Sequence, residues 1–380
     1  MSSQTFSSLP FNLSRTVSWI HIGDPHITRM GKPNERDLGK IVDEINTIFA
    51  EGGIDFIFLP GDIADDGSEA AYQAVRAHLD RLALPWCAIV GDHDVHVRSF
   101  AHFQTYVASQ LHGEFTVGTY RFLRLNAFSE PRPDSFVLSG EQLDWLEDEL
   151  QQCTAHKLQV VLLLHCYPSD LKQGHVRLRE LLHRYPVLLV DMGHTHYNEL
   201  SNDGAVLYSA TRSTGQIEEG PVGYSVITLD EGVVSWHFVR LGSPALVAIT
   251  HPADSRLSTS RNRREPVDSK VHVRAKIWSR QRITQARAKV HNLEVDLASP
   301  DGMFWKGQID SSTLEHGMYN LLVTAIDASG VELSSSIDLA LGPLPERSYS
   351  PIDQENTIGV WRERDILGTQ LGPNKNGRKW

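Results

Sequence analysis

The fold of this chain is decided by residues 17–26, VSWIHIGDPH. The apolar run predicts a short buried strand that ends at Gly23, and Asp24 and His26 follow on the loop. A carboxylate and an imidazole two residues apart can face one point, and this pair of donors suits a Zn, Mn or Fe ion. Alone the pair is weak evidence, because a strand-end turn with a capping Asp has the same sequence.

Residue types that bind metals recur at the ends of four further apolar runs. These residues are Asp62 after 54–59, Asp92 after 86–90, His165 after 158–164, and His194 and His196 after 187–190. Helical periods at 37–49 and 68–84 separate the first three strands, so strands and helices alternate. Layers of this α/β type bind ligands at the C-terminal ends of their strands. Seven nitrogen and oxygen donors are too many for one ion of low coordination, and they suit two ions that share a bridging carboxylate.

The order of these motifs resembles the calcineurin-like metallophosphoesterase superfamily. The family pattern is Asp-x-His, Gly-Asp, Gly-Asn-His-Asp/Glu, a lone His, and Gly-His-x-His. This chain has, in that order, Asp24-Pro25-His26, Gly61-Asp62, Gly91-Asp92-His93-Asp94, His165 and Gly193-His194-Thr195-His196. The resemblance covers about residues 16–241, and the segment 139–150 looks most like the bacterial cyclic-nucleotide phosphodiesterase branch, class III. It implies an α/β fold, a four-layer β-sandwich flanked by helices.

The resemblance also implies a set of metal ligands. It assigns Asp24, His26 and His196 to a first ion, Asp92, His165 and His194 to a second, and Asp62 to a bridge between them. The implied cofactor is a divalent or mixed-valence pair of Mn, Fe or Zn ions.

The implied activity is hydrolysis of a small phosphodiester, either a cyclic nucleotide or a glycerol-type diester, by metal-activated hydroxide. By resemblance, His93 would stand beside the metals and polarise the phosphate or protonate the leaving group, and Asp94 would orient His93. Two alternatives stay open. The chain could be a phosphomonoesterase acting on a nucleotide or sugar phosphate, or a scaffold protein that holds metal without turnover.

The chain departs from the family at Asp92, where the usual residue is Asn. An added negative charge predicts tighter cation binding or a preference for a more highly charged ion such as Fe(III), and it weakens the field that attracts phosphate. The chain also differs from the protein Ser/Thr phosphatase branch of the family, whose second and third motifs contain arginines that bind the phosphate. Those arginines are absent here, which disfavours protein phosphatase activity.

Further polar residues near the motifs have weaker assignments. His96, His102 and His112 could line a substrate pocket, although ordinary surface histidines are the simpler interpretation. Asp65 and Asp66 could hydrogen-bond groups behind the metal ligands or start a helix.

The composition is that of a globular protein with an acidic surface. The 380 residues carry a net charge of −11, which disfavours nucleic-acid polymers and anionic membranes as partners. Three cysteines without regular spacing do not form a disulfide framework. The N-terminus lacks the pattern of a secretory signal, and no apolar stretch is long enough to span a bilayer. We therefore expect a cytoplasmic protein with a small phosphoester substrate and no membrane partner.

Composition shifts predict four regions: a polar arm at 1–14, a catalytic domain at 15–242, a smaller all-β domain at 243–342 and an extension at 343–380. Short alternating runs between turn residues predict that the all-β domain is an Ig/FnIII-like sandwich. This sandwich is expected to pack on the catalytic domain or to form a homo-oligomer contact. The extension holds large apolar residues, so part of it is expected to dock on the body.

Overall fold

The computed structural model describes residues 16–262, 269–342 and 357–368. The predicted arm at 1–14 and the segments 343–356 and 369–380 of the predicted extension lie outside these ranges. No helix in the described part of the chain is both long and apolar enough to cross a bilayer.

The described helices and strands follow one another along the chain with short connections. They are, in order, β1 (Thr16–His21), α1 (Pro33–Ile48), β2 (Phe56–Leu59), α2 (Glu69–Leu79), β3 (Trp86–Ala88), α3 (Ala101–Tyr106), β4 (Gly113–Val117), β5 (Tyr120–Arg124), α4 (Gly140–Ala155), β6 (Gln159–Leu163), α5 (His175–Arg184), β7 (Val187–Met192), β8 (Glu199–Asn202), β9 (Leu207–Ala210), β10 (Gly223–Asp230), β11 (Val233–Arg240), β12 (Ala245–His251), β13 (Lys270–Ser279), β14 (Ile283–Val290), β15 (Leu293–Asp296), β16 (Phe304–Asp310), β17 (Gly317–Asp327) and β18 (Glu332–Leu341).

The first sheet has the strand order β11-β10-β1-β2-β3. Strands β1, β2 and β3 run parallel, and β10 pairs antiparallel with β1. Because side chains alternate along a strand, β1 turns Ile20 to one face and Trp19 to the other. Ile20 packs with Leu38 and Ile41 of α1, while Trp19 is buried on the opposite face.

The second sheet has the order β4-β5-β6-β7-β9-β8, in which β5, β6, β7 and β9 are parallel. It faces the first sheet across an aromatic cluster. Trp19 stacks on Phe56 with ring centroids 5.8 Å apart and meets Phe122 of β5 edge-on at 5.4 Å. These contacts hold the sheets together, so loops from both can meet at one edge.

The first residues of the helices agree better with local signals for helix starts than with the apolar periodicity of the sequence. Helix α1 begins at Pro33, ahead of the predicted start at residue 37. Proline is favoured in a first helical turn because its φ is already helical and its missing amide hydrogen is not needed there. Ser68 and Ser139 cap α2 and α4 through side-chain oxygens that accept from the Ala71 and Gln142 amides. The predicted helix start at Ser139 is thereby confirmed.

Residues 245–341 form two further sheets, and their described part contains no α-helix. The orders are β12-β13-β16 and β15-β14-β17-β18, and the two sheets enclose a separate apolar cluster that includes Ile249, Val273 and Val323. The Ig/FnIII-like type and the boundaries assigned to this unit stay predictions.

Lys276 of β13 joins these sheets to the body of the protein. Its buried ammonium donates to the Ser18 hydroxyl at 2.9 Å and to the Gly53 carbonyl at 3.0 Å. Burial lowers the pKa of Lys276, and the nearby charge of Asp55 opposes that shift. The indole of Trp278 donates to the Gly52 carbonyl beside it.

Residues 357–368 pack against β8 and β11. The Ile358 amide donates to the Leu200 carbonyl, and the Asp365 carboxylate accepts from the Arg240 guanidinium at 2.7 and 2.8 Å. Trp361 is buried in the same contact.

Lys276→Ala should weaken the attachment of the C-terminal sheets. Each of the two buried acceptors that loses a charged donor costs about 1–3 kcal/mol, so the free energy of unfolding should fall by about 2–6 kcal/mol in urea denaturation. Lys289→Ala, at an exposed position of β14, is the control and should change it by less than about 0.5 kcal/mol. Equal stability of the two variants would contradict the role given to Lys276.

Candidate metal centre and active site

The structure brings the seven predicted donor residues together at one edge of the two sheets. They follow five strands: Asp24 and His26 after β1, Asp62 after β2, Asp92 after β3, His165 after β6, and His194 and His196 after β7. The first four come from one sheet and the last three from the other. The site therefore forms only when the two sheets pack against each other.

A first group of donors gathers around His26. The ligand atoms of His26, Asp62 and His196 lie within 4.8 Å of one another. The Nε2 atoms of His26 and His196 face each other at 2.9 Å, and His26 Nε2 lies 3.5 Å from Asp62 Oδ2. Asp24 adjoins this group, with its Oδ2 4.0 Å from His196 Nε2.

A second group gathers around Asp92. The ligand atoms of Asp62, Asp92, His165 and His194 lie within 4.8 Å of one another. Asp92 Oδ1 lies 3.0 Å from both His165 Nε2 and His194 Nδ1. Asp62 Oδ1 is 3.5 Å from His165 Nε2, so the two oxygens of Asp62 face different groups.

The crowding of carboxylates shifts the protonation of the centre. Burial, reinforced by the charge of Asp92, raises the pKa of Asp62 well above its usual range. Burial opposes the charged form of Asp92 too, but His194 and His165 outweigh it and hold the pKa of Asp92 well below its usual range. Burial likewise opposes a charged His165, yet Asp62 and Asp92 raise the pKa of His165 to about 10.

The donor set fits divalent cations. Imidazole and carboxylate donors are those that Zn, Mn and Fe take in proteins. Asp24 Oδ1 is buried and has no hydrogen-bond partner among the described residues, which is costly for a carboxylate oxygen unless a cation satisfies it. The two facing Nε2 atoms of His26 and His196 leave room for only one hydrogen between them. When both nitrogens are unprotonated, each has a lone pair that could bind a metal ion.

The backbone of the site is strained. Asp24, His26, Asp62, His194 and His196 have φ between 25° and 65°, a region that residues other than glycine rarely enter. Asp and His tolerate it better than most residues, but each such position still costs about 1–3 kcal/mol. Five of the seven donor residues share this conformation, so the packed sheets must hold the loops in place.

Two glycines of the motifs are required by close packing. A Cβ at Gly91 would lie 2.2 Å from the Asp62 amide nitrogen, and a Cβ at Gly193 would lie 2.4 Å from Asp24 Oδ1. Any larger residue would push the loops apart. Glycine is therefore required before Asp92 and before His194, because the loops approach each other so closely at these two positions.

Asp65, and not Asp94, positions the ring of His93. His93 Nδ1 donates to the Asp65 carbonyl at 2.7 Å and lies 3.2 Å from the Asp65 carboxylate. Asp65 also meets His26 Nδ1 at 3.1 Å, and mainly this hydrogen bond lowers the pKa of Asp65 to about 2. The motif pattern suggested only that Asp65 could bond groups behind the ligands.

Asp94 has a different task, so the orienting role expected for it is wrong. Its carboxylate accepts from the Ile63, Ala64 and Gly91 amides at 3.1, 2.9 and 2.9 Å, and from the Tyr72 hydroxyl at 2.8 Å. His93 and Asp94 are consecutive residues of a short helical turn, and the Asp94 carboxylate is fully occupied by the amides of the two neighbouring loops and the Tyr72 hydroxyl. Asp94 thus fixes the loop that carries Asp62 to the loop that carries Asp92.

Phe136 lies at the rim of the site and was not indicated by the sequence. The half-buried ring of Phe136 meets His194 edge-on with centroids 4.7 Å apart. It lies in a loop without periodicity or motif. Of the three histidines considered as pocket residues, only His96 lies beside the site, with its ring 4.4 Å from that of His93. His102 donates to the Gly67 carbonyl, and His112 packs on Trp145.

Comparison with known proteins gives related sequences for this part of the chain. Residues 18–198 match the family model described as calcineurin-like phosphoesterase. The chain is similar to a probable cyclic nucleotide phosphodiesterase of Synechococcus sp., with 29% identity over 46% of this chain and 72% of that protein. It is also similar to a probable glycerophosphodiester phosphodiesterase of Arcobacter nitrofigilis, with 27% identity over 47% of this chain and 71% of that protein.

A solved structure agrees with the fold. A dimetal phosphatase from Danio rerio superposes with a TM-score of 0.50 and 17% identity, covering 59% of this chain and 97% of that one. At this identity the likeness concerns the fold alone. The predicted mixed α/β metallophosphoesterase fold is confirmed at that level.

Asp94→Ala should destabilise the protein far more than Tyr72→Phe. The first change leaves three buried amides without an acceptor and should lower the free energy of unfolding by about 3 kcal/mol or more, while the second removes one hydrogen bond worth about 1 kcal/mol. Urea unfolding in the presence of a chelator measures both without a contribution from bound metal. A loss in Asp94→Ala no larger than that in Tyr72→Phe would refute the bracing role of Asp94.

Proposed function

We propose that this chain, whose residues 18–198 match the family model described as calcineurin-like phosphoesterase, is a phosphoester hydrolase that cleaves small phosphodiesters at a centre of two metal ions. The proposed ligands of the first ion are Asp24, His26 and His196, and those of the second are Asp92, His165 and His194. Asp62 is the proposed bridge.

The position of Asp62 is the observation that carries the proposal. It is the one residue common to the donor groups around His26 and around Asp92, among the described residues. Its Oδ2 faces His26 and its Oδ1 faces His165, each at 3.5 Å. A carboxylate with one oxygen toward each group is suited to bridge two cations.

The side chains and the metal ions would have different roles in the reaction. Bound divalent cations would supply Lewis-acid activation of a water and would neutralise charge on the phosphate oxygens. The Asp65 carbonyl holds His93 Nδ1–H, so Nε2 is the nitrogen that can meet the substrate. As the P–O bond breaks, a His93 imidazolium gives its Nε2 proton to the departing alkoxide and becomes neutral. The Asp65 carboxylate lies 3.2 Å from Nδ1, on the side of the ring that faces away from this transfer.

The preference for a diester over a monoester is supported by the relatives. The two proteins to which the chain is similar are named as a probable cyclic nucleotide phosphodiesterase and a probable glycerophosphodiester phosphodiesterase. Both names describe diester cleavage. A monoesterase would use the same centre, so relative rates distinguish the two activities.

Chromogenic substrates test the proposal directly. Protein stripped with a chelator and reloaded with Mn²⁺ should hydrolyse bis(4-nitrophenyl) phosphate with a higher kcat/KM than 4-nitrophenyl phosphate. His93→Ala should lower kcat on the diester by about a hundredfold or more, while metal content stays at the parent level. His112→Ala, at the surface contact with Trp145, is the matched control and should keep the parent rate.

Each other outcome has a defined meaning. A higher kcat/KM on the monoester would favour the phosphomonoesterase alternative. Inertness toward both substrates with Mn²⁺, Fe²⁺ and Zn²⁺ would refute the enzyme and favour a metal-holding scaffold.

Asp92→Asn should keep activity but change the metal preference. The amide oxygen still provides a donor to the second site, but the site loses one negative charge and should bind highly charged ions less tightly. Elemental analysis of the variant and the parent after equilibration with mixed Mn, Fe and Zn measures the change. An unchanged metal profile would show that the charge of Asp92 does not select the ion.

A further inference from the structure

A cleft of about 540 Å³ opens beside the His26 side of the centre. It is lined by Thr28, Arg29, Lys32, Pro33, Asn34, Asp66 and Gly215. The cleft and the centre share a wall, because the Asn34 side-chain amide donates to the His26 carbonyl. On the opposite side Gly215 lies so close to this loop that a Cβ would stand 2.8 Å from the Cβ of His26.

The charges in the cleft are unbalanced. Arg29 is exposed and Lys32 is half-buried, and neither side chain has an ion pair or hydrogen bond to any residue described. The neighbouring Arg36, by contrast, donates to the Gly31 carbonyl. Asp66 is the acidic residue of the lining, and its carboxylate accepts from the Ser68 amide. Two free cations therefore face one carboxylate, in a chain whose net charge is −11.

We infer that this cleft binds a second anionic group, carried by the substrate on an arm beyond the scissile phosphorus. The inference rests on the proposed phosphodiesterase function and names the substrate class within it. A cyclic nucleotide carries its single negative charge at the scissile phosphate, where the metal centre would bind it, and leaves Arg29 and Lys32 unused. A diester with an additional phosphate or carboxylate group would use both.

Matched chromogenic diesters test the inference. The probes are 4-nitrophenyl phosphodiesters whose second arm, two or four carbons long, ends in a methyl, a carboxylate or a phosphonate group. We expect kcat/KM for the better anionic arm to exceed that for the methyl arm by about tenfold, which corresponds to two exposed charge contacts of about 0.7 kcal/mol each. The carboxylate and phosphonate arms distinguish the two sources of the anion.

The double variant Arg29→Ala/Lys32→Ala should abolish this preference. Its KM for the anionic arm should rise to that for the methyl arm, while kcat on the methyl-arm diester stays at the parent value. Lys40→Ala is the control, because Lys40 lies further along α1 and pairs with Asp37 at 2.8 Å. It should retain the full preference. Added NaCl should reduce the preference in the parent, since salt screens exposed charges.

Binding to chelator-treated protein gives a readout without turnover. Inorganic phosphate titrated by ³¹P NMR should bind the parent and Lys40→Ala at millimolar concentration and should bind the double variant several-fold more weakly. Equal binding by the double variant would overturn the inference. So would equal kcat/KM of the parent for anionic and methyl arms at both lengths, a result that leaves the proposed function standing. Turnover of none of the diesters would refute the proposed function itself.

Discussion

The site depends on holding several carboxylates side by side in a buried place, which is favourable only when positive charge is supplied there. Two unit charges 4 Å apart interact by about 4 kcal/mol at the effective dielectric of a protein surface. Burial and the charge of Asp92 raise the pKa of Asp62, and the carboxylates of Asp62 and Asp92 raise the pKa of His165. Asp24 Oδ1 is buried there without a partner among the described residues. The protonation of the donor groups and their suitability for cations therefore follow from one electrostatic constraint.

The fold positions the donor residues through a strained backbone, which its rigid surroundings hold in place. Five donor residues adopt left-handed φ values, which no isolated loop would keep. The aromatic cluster around Trp19 fixes the two sheets, and Asp94 ties two ligand loops together from beneath. Because the donor residues come from both sheets, the site is complete only when the core between the sheets is packed. The cleft at Arg29 adds a local positive charge beside a centre that is otherwise acidic.

Strand ends and glycines are local features, so the sequence could indicate which residues would gather at one edge of the sheets. Apolar runs followed by Asp or His located all seven donor residues, and the structure brings them together. The role of Asp94 could not be predicted in this way. Asp65 and Asp94 are both acidic residues close to the motifs, and only the three-dimensional structure shows that Asp65 is the one in contact with the His93 ring. Phe136 was missed for a related reason, since its contact with His194 joins two loops distant in sequence.

The most direct measurement is anomalous diffraction from crystals of the Mn²⁺-loaded protein. The account predicts two anomalous peaks, one on each side of the Asp62 carboxylate, with His26 and His196 beside one peak and His165 and His194 beside the other. A single peak, or peaks that do not share Asp62, would contradict the bridging role on which the proposed chemistry rests.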